Sequence, residues 1–144
     1  MRIWRISNYA DLSGRGGLIS EGRWHSLGTP IVYCADHPST ALLEILVHAT
    51  RQTVPETYQL IEIELPDDIA IEHAMLETGW ESDSPLTQRT GTSFVVANSH
   101  AVLCVPSVIM PKATNYLLNP RHPDAARIVV TDTYRYPFDS RLLR

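Results

Sequence analysis

Glu44 interrupts an otherwise apolar run, Ala41-Leu42-Leu43-Glu44-Ile45-Leu46-Val47-His48. At about 100° per residue in a helix, the leucines, Ile45 and Val47 cover most of the circumference, while Thr40, Glu44 and His48 share one narrow stripe. A solvated helix face is wider and richer in charge, so a lone carboxylate in such a stripe is expected to face a cleft; an ordinary exposed glutamate is the alternative. Arg23 lies between Gly22 and Trp24, where its planar fork suits a phosphate, or simply a surface pair with Glu21. Tyr33 stands mid-strand in Ile31-Val32-Tyr33-Cys34-Ala35, a place where tyrosines are mostly core with a bonded hydroxyl. Ser107 and Asn119 each sit beside a proline where a strand gives way to a turn. Sites are often built at such ends, although turn chemistry alone also favours these residue types. The 6 histidines lack ligand spacing, so no metal site is expected. No Gly-x-Ser-x-Gly elbow is present, which argues against a serine hydrolase.

The elements that must position these groups are short. Residues 2–6 alternate apolar and polar groups and read as an edge strand. Ser13-Gly14-Arg15-Gly16-Gly17 has neither dinucleotide spacing nor a Walker lysine and reads as a flexible turn. A buried strand follows at 31–35, then a helix starting at Asp36-His37-Pro38, with Asp36 as the candidate cap and proline in the first turn. Residues 57–65 alternate at period two in their second half, the pattern of a strand with one wet face. Residues 66–100 carry little pattern, apart from a helix over 85–97 interrupted by Gly91. Apolar strands at 101–105 and 127–131 and an extended piece at 115–120 complete the set. The expected fold is a single α+β domain over 1–144, with a core near 3–131 and no repeats or linkers.

Bulk properties narrow the function classes. At 144 residues and 44% hydrophobic, the chain has the size and composition of one globular domain. No run approaches the roughly 20 apolar residues needed to span a bilayer, and no signal peptide follows Met1-Arg2. The net charge is −4, and Lys112 is the only lysine among 12 basic residues, so a nucleic-acid-gripping face is not expected. Cys34 and Cys104 each lie in apolar runs and read as buried thiols.

The order of these residues carries more than any one of them. Gly22-Arg23-Trp24-His25, then Ile31-Val32-Tyr33, then Ala41-Leu42-Leu43-Glu44 resembles the N-terminal half of the RES domain. Val105-Pro106-Ser107 followed by Asn115-Tyr116-Leu117-Leu118-Asn119-Pro120 resembles its C-terminal half. The resemblance spans roughly residues 3–131, with the family's namesake arginine, glutamate and serine at Arg23, Glu44 and Ser107. It implies a fold related to ADP-ribosyltransferases of the diphtheria-toxin type, with short strands in a split, mixed sheet and few helices. It also implies NAD⁺ as substrate, no prosthetic group, and a catalytic set of Arg23, Tyr33, Glu44 and Ser107, with Trp24, His25 and Asn119 contributing to substrate binding. RES proteins are toxins of bacterial toxin–antitoxin pairs, so a cytoplasmic location and a hetero-oligomer with an Xre-type helix-turn-helix antitoxin are implied as well. An acidic toxin suits a basic DNA-binding partner.

The implied chemistry fits the residue types. Breaking the nicotinamide–ribose bond creates an oxocarbenium-like sugar. A carboxylate near the ribose would hold its 2′-hydroxyl and stabilise the growing charge. Tyr33 would stack on the nicotinamide, and Arg23 would hold the phosphates or the adenosine-side ribose. With water or phosphate as acceptor the protein depletes NAD⁺, which is the expected activity. With a protein side chain as acceptor it is an ADP-ribosyltransferase. A non-catalytic interaction module and a nucleic-acid-targeting toxin are the remaining readings.

Overall fold

A computed structural model describes residues 1–135 and 137–143. In chain order the elements are β1 (Arg2–Ser7), α1 (Arg15–Ile19), β2 (Val32–Ala35), α2 (Pro38–Leu46), β3 (Gln59–Glu64), β4 (Ile71–His73), α3 (Ser84–Ala97), β5 (Val102–Pro106), β6 (Thr114–Leu118) and β7 (Val129–Arg135). Short 3-10 turns occupy Trp80–Ser82 and Pro123–Arg127. The strands form one 7-stranded sheet in the order β4-β5-β6-β2-β1-β3-β7. Only β4 and β5 run parallel; every other neighbouring pair is antiparallel. The fold is therefore mixed α+β, as expected.

The expectation of an edge position for the first strand is corrected. β1 is interior, paired with β3 along its whole length from Arg2↔Glu64 to Ser7↔Gln59. On its other side it meets β2 in register at Trp4↔Ala35 alone. The sheet therefore divides into a β4-β5-β6-β2 half and a β1-β3-β7 half that splay apart beyond a single tie.

Strand alternation distributes side chains to two faces. Val32, Cys34, Ile61, Ile63, Val102 and Leu118 share one cluster, which Ile69, Ala101 and Ile128 help to close. On the other face, Leu103, Val105 and Leu117 pack with Trp24 and with Phe94 and Val95 of α3. Ala35 and Ile6 pack with Ala41 of α2 and with Phe138 and Leu143, and Leu42, Ile45 and Leu46 lie against that cluster. At about 25 cal/mol per Å² of apolar surface removed from water, these clusters supply most of the driving force for folding. Glu62 lies on the expected wet face of β3, yet is only 9% exposed. It is paired with Arg2 at 3.4 Å and accepts a hydrogen bond from Thr131 at 3.2 Å.

Local signals explain the helix ends. Pro38 opens α2, but His37 rather than Asp36 caps it, its Nδ1 accepting from the Ser39 N–H at 3.1 Å. Asp36 instead accepts from the Thr114 N–H at 3.0 Å and ties the start of the helix to β6. Asp83 caps α3 through the Leu86 N–H at 3.0 Å, and Asn98 closes it in the left-handed region at φ 55°. Gly91 does not interrupt α3: a Cβ there would lie 1.7 Å from the Trp24 carbonyl oxygen, so glycine allows the helix to touch that backbone. The glycine-rich 13–17 segment is not merely a flexible turn either. It leads into α1, whose Gly17 carbonyl accepts from the Gly28 N–H at 3.0 Å. Among the described residues, no helix is long and apolar enough to cross a membrane.

Candidate active site

Glu44 lies near the C-terminal end of α2, half-buried, on the side of the helix that faces β2 and β6. Its Oε1 accepts from the Ser107 hydroxyl at 2.9 Å and from Asn115 Nδ2 at 2.7 Å. Among the described residues none donates to Oε2, so one oxygen is anchored and the other is left for a ligand. Ser107 begins the turn after β5. Its Oγ also accepts from the Ile109 and Met110 N–H groups, both at 3.2 Å, which fixes the hydroxyl so that its proton points at Glu44. The sequence places Ser107 where turn chemistry or site chemistry would put a serine. In the structure the same hydroxyl closes the turn and donates to Glu44.

Tyr33 is held through its hydroxyl by the Gly22–His25 hairpin. That hydroxyl accepts from the Trp24 N–H at 3.0 Å and lies 2.6 Å from His25 Nδ1. His25 Nε2 lies 2.7 Å from the Ser20 carbonyl, which can only accept, so Nε2 carries the proton and Nδ1 accepts from Tyr33. Burial pushes the Tyr33 hydroxyl well above the usual phenol range, against smaller opposing effects of the Trp24 N–H and Arg23. A protonated phenol with both hydrogen-bonding roles filled is not a proton-transfer group. What Tyr33 offers a ligand is its ring. A Cβ on Gly22 would come within 2.7 Å of the Tyr33 hydroxyl and 2.8 Å of His25 Cε1, so this packing requires glycine.

Arg23 extends from the same hairpin. The expected pairing with Glu21 is absent: Arg23 Nη1 donates to the Glu81 carbonyl at 3.3 Å. The hairpin backbone is clamped to α3, with Thr87 Oγ1 donating to the Arg23 carbonyl at 2.7 Å and Gln88 Nε2 to the Gly22 carbonyl at 3.0 Å. Arg23, Tyr33, Glu44 and Asn115 together line a cleft of about 800 Å³. That lies within the range of ligand sites, roughly 300–1,000 Å³.

A smaller cavity of about 100 Å³ continues from this cleft into the gap between β1 and β2, walled by Trp4, Arg5 and Ile6 on one side and Tyr33, Cys34 and Ala35 on the other. Arg5 also lines a third cavity of about 420 Å³, with Arg15, Tyr9 and Tyr58. Its Nη2 donates to Ser7 Oγ at 3.2 Å, but its Nε is buried without a partner. The first two cavities share Tyr33, Glu44, Ile45 and Asn115, and Arg5 borders both the second and the third, so the three adjoin one another around the splay in the sheet.

Three residues expected to contact substrate are buried. Trp24 borders the cleft but is 2% exposed, its indole packed 5.7 Å from the Trp80 ring in the core. His25 is 4% exposed with both ring nitrogens engaged, and it supports Tyr33. Asn119 is fully buried; its amide donates to Asn98 Oδ1 at 2.7 Å and its oxygen accepts from the Arg121 N–H at 3.0 Å, bracing the end of α3 against the turn after β6. Conversely, Arg5 and Asn115 line these cavities and were not among the residues expected to do so. Arg5 falls within an alternating pattern and Asn115 opens an extended piece before a turn, so neither stood out in the sequence. Cys34, in the gap, has its thiol pushed by burial up to about 12 and is inert. Among the described residues, no group of three or more His, Cys, Asp or Glu side chains could hold a metal.

Known proteins bear on this geometry. The family model for the RES domain matches residues 2–139. A protein named Toxin Res from Pseudomonas putida is 48% identical over 147 residues, covering 99% of both chains. A protein named Prs ADP-ribosylating toxin from a Sphingobium species is 36% identical, covering 99% of this chain and 96% of that one. In the crystal structure of the M. tuberculosis MbcT–MbcA toxin–antitoxin complex, one chain superposes with a TM-score of 0.75 at 18% identity, over 94% of this chain and 83% of that one, a likeness of fold. With a matched model across nearly its whole length and a full-length relative at this identity, the chain belongs to the RES-domain family of toxins.

Proposed function

We propose that this toxin consumes NAD⁺ by breaking its nicotinamide–ribose bond, using the groove around Glu44. The observation that carries this reading is the one-sided anchoring of the carboxylate: Ser107 and Asn115 both donate to Oε1, and Oε2 is left towards the cleft. In the reaction, the C–N bond electrons return to the pyridinium ring, nicotinamide leaves neutral, and the ribose C1 and ring oxygen share the positive charge. No general acid is needed for that departure. Glu44 Oε2 holds the 2′-hydroxyl and opposes the growing charge, an interaction stronger in the transition state than in the ground state. The Tyr33 ring stacks on the nicotinamide. Arg23 and Arg5, two of the cations that line these cavities, hold the anionic and adenosine side of the dinucleotide. Water then attacks C1 and releases a proton to bulk water, or inorganic phosphate attacks through an anionic oxygen with no proton to release, and cellular NAD⁺ is depleted.

The name of the Sphingobium relative favours a second reading, in which the acceptor is a side chain of a metabolic enzyme. The toxin would be held in check by a cognate Xre-type antitoxin, in line with the toxin–antitoxin assembly in which the structural neighbour was solved. The test is mass spectrometry of NAD⁺ incubated with the purified protein, with and without phosphate. Free nicotinamide with ADP-ribose, or with its phosphorylated form, supports depletion. Isotope appearing on lysate proteins from labelled NAD⁺ supports transfer. NAD⁺ left intact under all these conditions refutes both.

A further inference from the structure

We propose that Asn115 is a positioning residue for Glu44, retained for the carboxylate it orients and not for the stability of β6; this rests on the function proposed for Glu44. Asn115 is 8% exposed and lies in the middle of the sheet, in register with Ala35 of β2 and Val105 of β5. Its Nδ2 donates to Glu44 Oε1 at 2.7 Å, the shorter of the two bonds that oxygen accepts. Its own Oδ1 is buried without any partner. A buried amide satisfied on one side only is unfavourable for folding, because the orphaned oxygen has lost water and gained nothing. Flipping the amide would relieve nothing, since Oδ1 would then meet the carboxylate. The Glu44 charge thus fixes the orientation, and the orphan is its consequence. A leucine shares the branched shape of asparagine and would leave no orphan, but it has no N–H to give.

Ser107 and Asn115 approach Oε1 from the two arms of one hairpin, the turn that follows β5 and the body of β6. Two donors on one oxygen set both the position and the rotation of the carboxylate plane, and one would set only the position. Without Asn115 the plane turns about the Ser107 bond, and Oε2 no longer points along the cleft. The other ionisable groups lining this cleft and its continuation are Arg5 from β1, Glu21 and Arg23 from the hairpin region, Tyr33 and Cys34 from β2 and His48 beyond α2.

The experiment compares the full chain with Asn115→Leu, Asn115→Ala and Asn115→Asp in three measurements: denaturant midpoint, steady-state NAD⁺ consumption, and the carbon-13 chemical shift of the Glu44 carboxyl. Asn115→Leu is expected to unfold at a midpoint no lower than the parent. Its kcat should fall about 10- to 100-fold, as expected for a lost oriented contact, with KM within about threefold. The carbon-13 resonance of its Glu44 carboxyl should move from the parent position, because one of the two donors to Oε1 is lost. Asn115→Asp replaces that donor by an acceptor and should lower kcat at least as far as Asn115→Leu. A lower midpoint for both Asn115→Leu and Asn115→Ala, with kcat and the Glu44 resonance unchanged, overturns the proposal and makes Asn115 a structural residue. Should the parent protein consume no NAD⁺, the function reading fails by itself. The midpoint and the Glu44 resonance still decide the positioning claim, because neither involves substrate.

Discussion

Replacing Glu44 by glutamine removes one charge while keeping the shape of the site. The glutamine carbonyl can take the place of Oε1 and accept from Ser107 and Asn115 as before, and its NH₂ group then occupies the position of the free Oε2. What is lost is the attraction between a half-buried carboxylate and the cationic sugar of the transition state. For unit charges about 4 Å apart at an effective dielectric near 20, that attraction is about 4 kcal/mol. At about 1.4 kcal/mol per decade, kcat is expected to fall about 10²- to 10³-fold, the lower bound allowing for water in the open cleft. KM is expected to change little, because the charge on the sugar develops only as the bond breaks. The two hydrogen bonds weaken from charge-assisted to neutral, but a half-buried charge no longer has to be desolvated. Stability should therefore change by about 1 kcal/mol or less, a few degrees in Tm for a chain of this size. Rates of nicotinamide release by parent and variant, with a thermal melt of each, provide the test. A folded variant that keeps kcat within about threefold of the parent would refute the claim that this carboxylate acts on the developing charge.

Tyr33→Phe keeps the ring but orphans His25 Nδ1 and the Trp24 N–H, so it should lower stability by about 2–4 kcal/mol while retaining much of the activity; denaturant midpoints and kcat measure the two effects. The parent's folded-state Tyr33 holds its proton above the pH at which an unfolded tyrosine releases its own, so stability conferred by this group is full below about pH 10 and is lost as pH rises beyond it. The fall in the denaturant midpoint between pH 9 and 10.5 should accordingly be smaller in Tyr33→Phe than in the parent. Gly91→Ala drives a Cβ to 1.7 Å from the Trp24 carbonyl and should cost about 3 kcal/mol or more, read from equilibrium unfolding; a near-neutral result would mean that α3 does not press on the hairpin. Arg5→Met removes the guanidinium that lines the cavity beside Glu44 and should reduce kcat/KM for NAD⁺ by about 10- to 100-fold, the worth of a charge-assisted contact, with an unchanged melt. Equal kinetics in that variant would detach Arg5 from the substrate.

The α+β class, the strand at 32–35 and the helix bearing Glu44 were legible because period and caps are local properties. The narrow polar stripe of α2 correctly indicated a cleft-facing carboxylate. What holds that carboxylate was not legible, because Ser107 and Asn115 lie 63 and 71 residues away and only the sheet order brings them together. Arg5 was hidden for a related reason. In a two-residue repeat it reads as an outward side chain of an edge strand, whereas β1 is interior and opens towards β2. Trp24 and His25, expected beside the ligand because they follow Arg23, are instead largely sunk into the interior. Their burial shows that a hairpin can present one side chain by sinking its neighbours. The 66–100 stretch carried weak signals because α3 packs through Gly91, Thr87 and Phe94, a face too small and too polar for hydrophobic periodicity to reveal.

Among the described strands Trp4 and Ala35 alone join the two halves of the sheet in register, so the clearance between Arg5 and Glu44 depends on one backbone pairing and on side-chain packing, and not on a full ladder. A rigid molecule carrying an anion at one end and a hydroxylated cation at the other would act as a caliper for that clearance. A series of such molecules differing only in length would show its best affinity at the resting span, and the sharpness of that optimum would measure how firmly packing substitutes for hydrogen bonds along that seam.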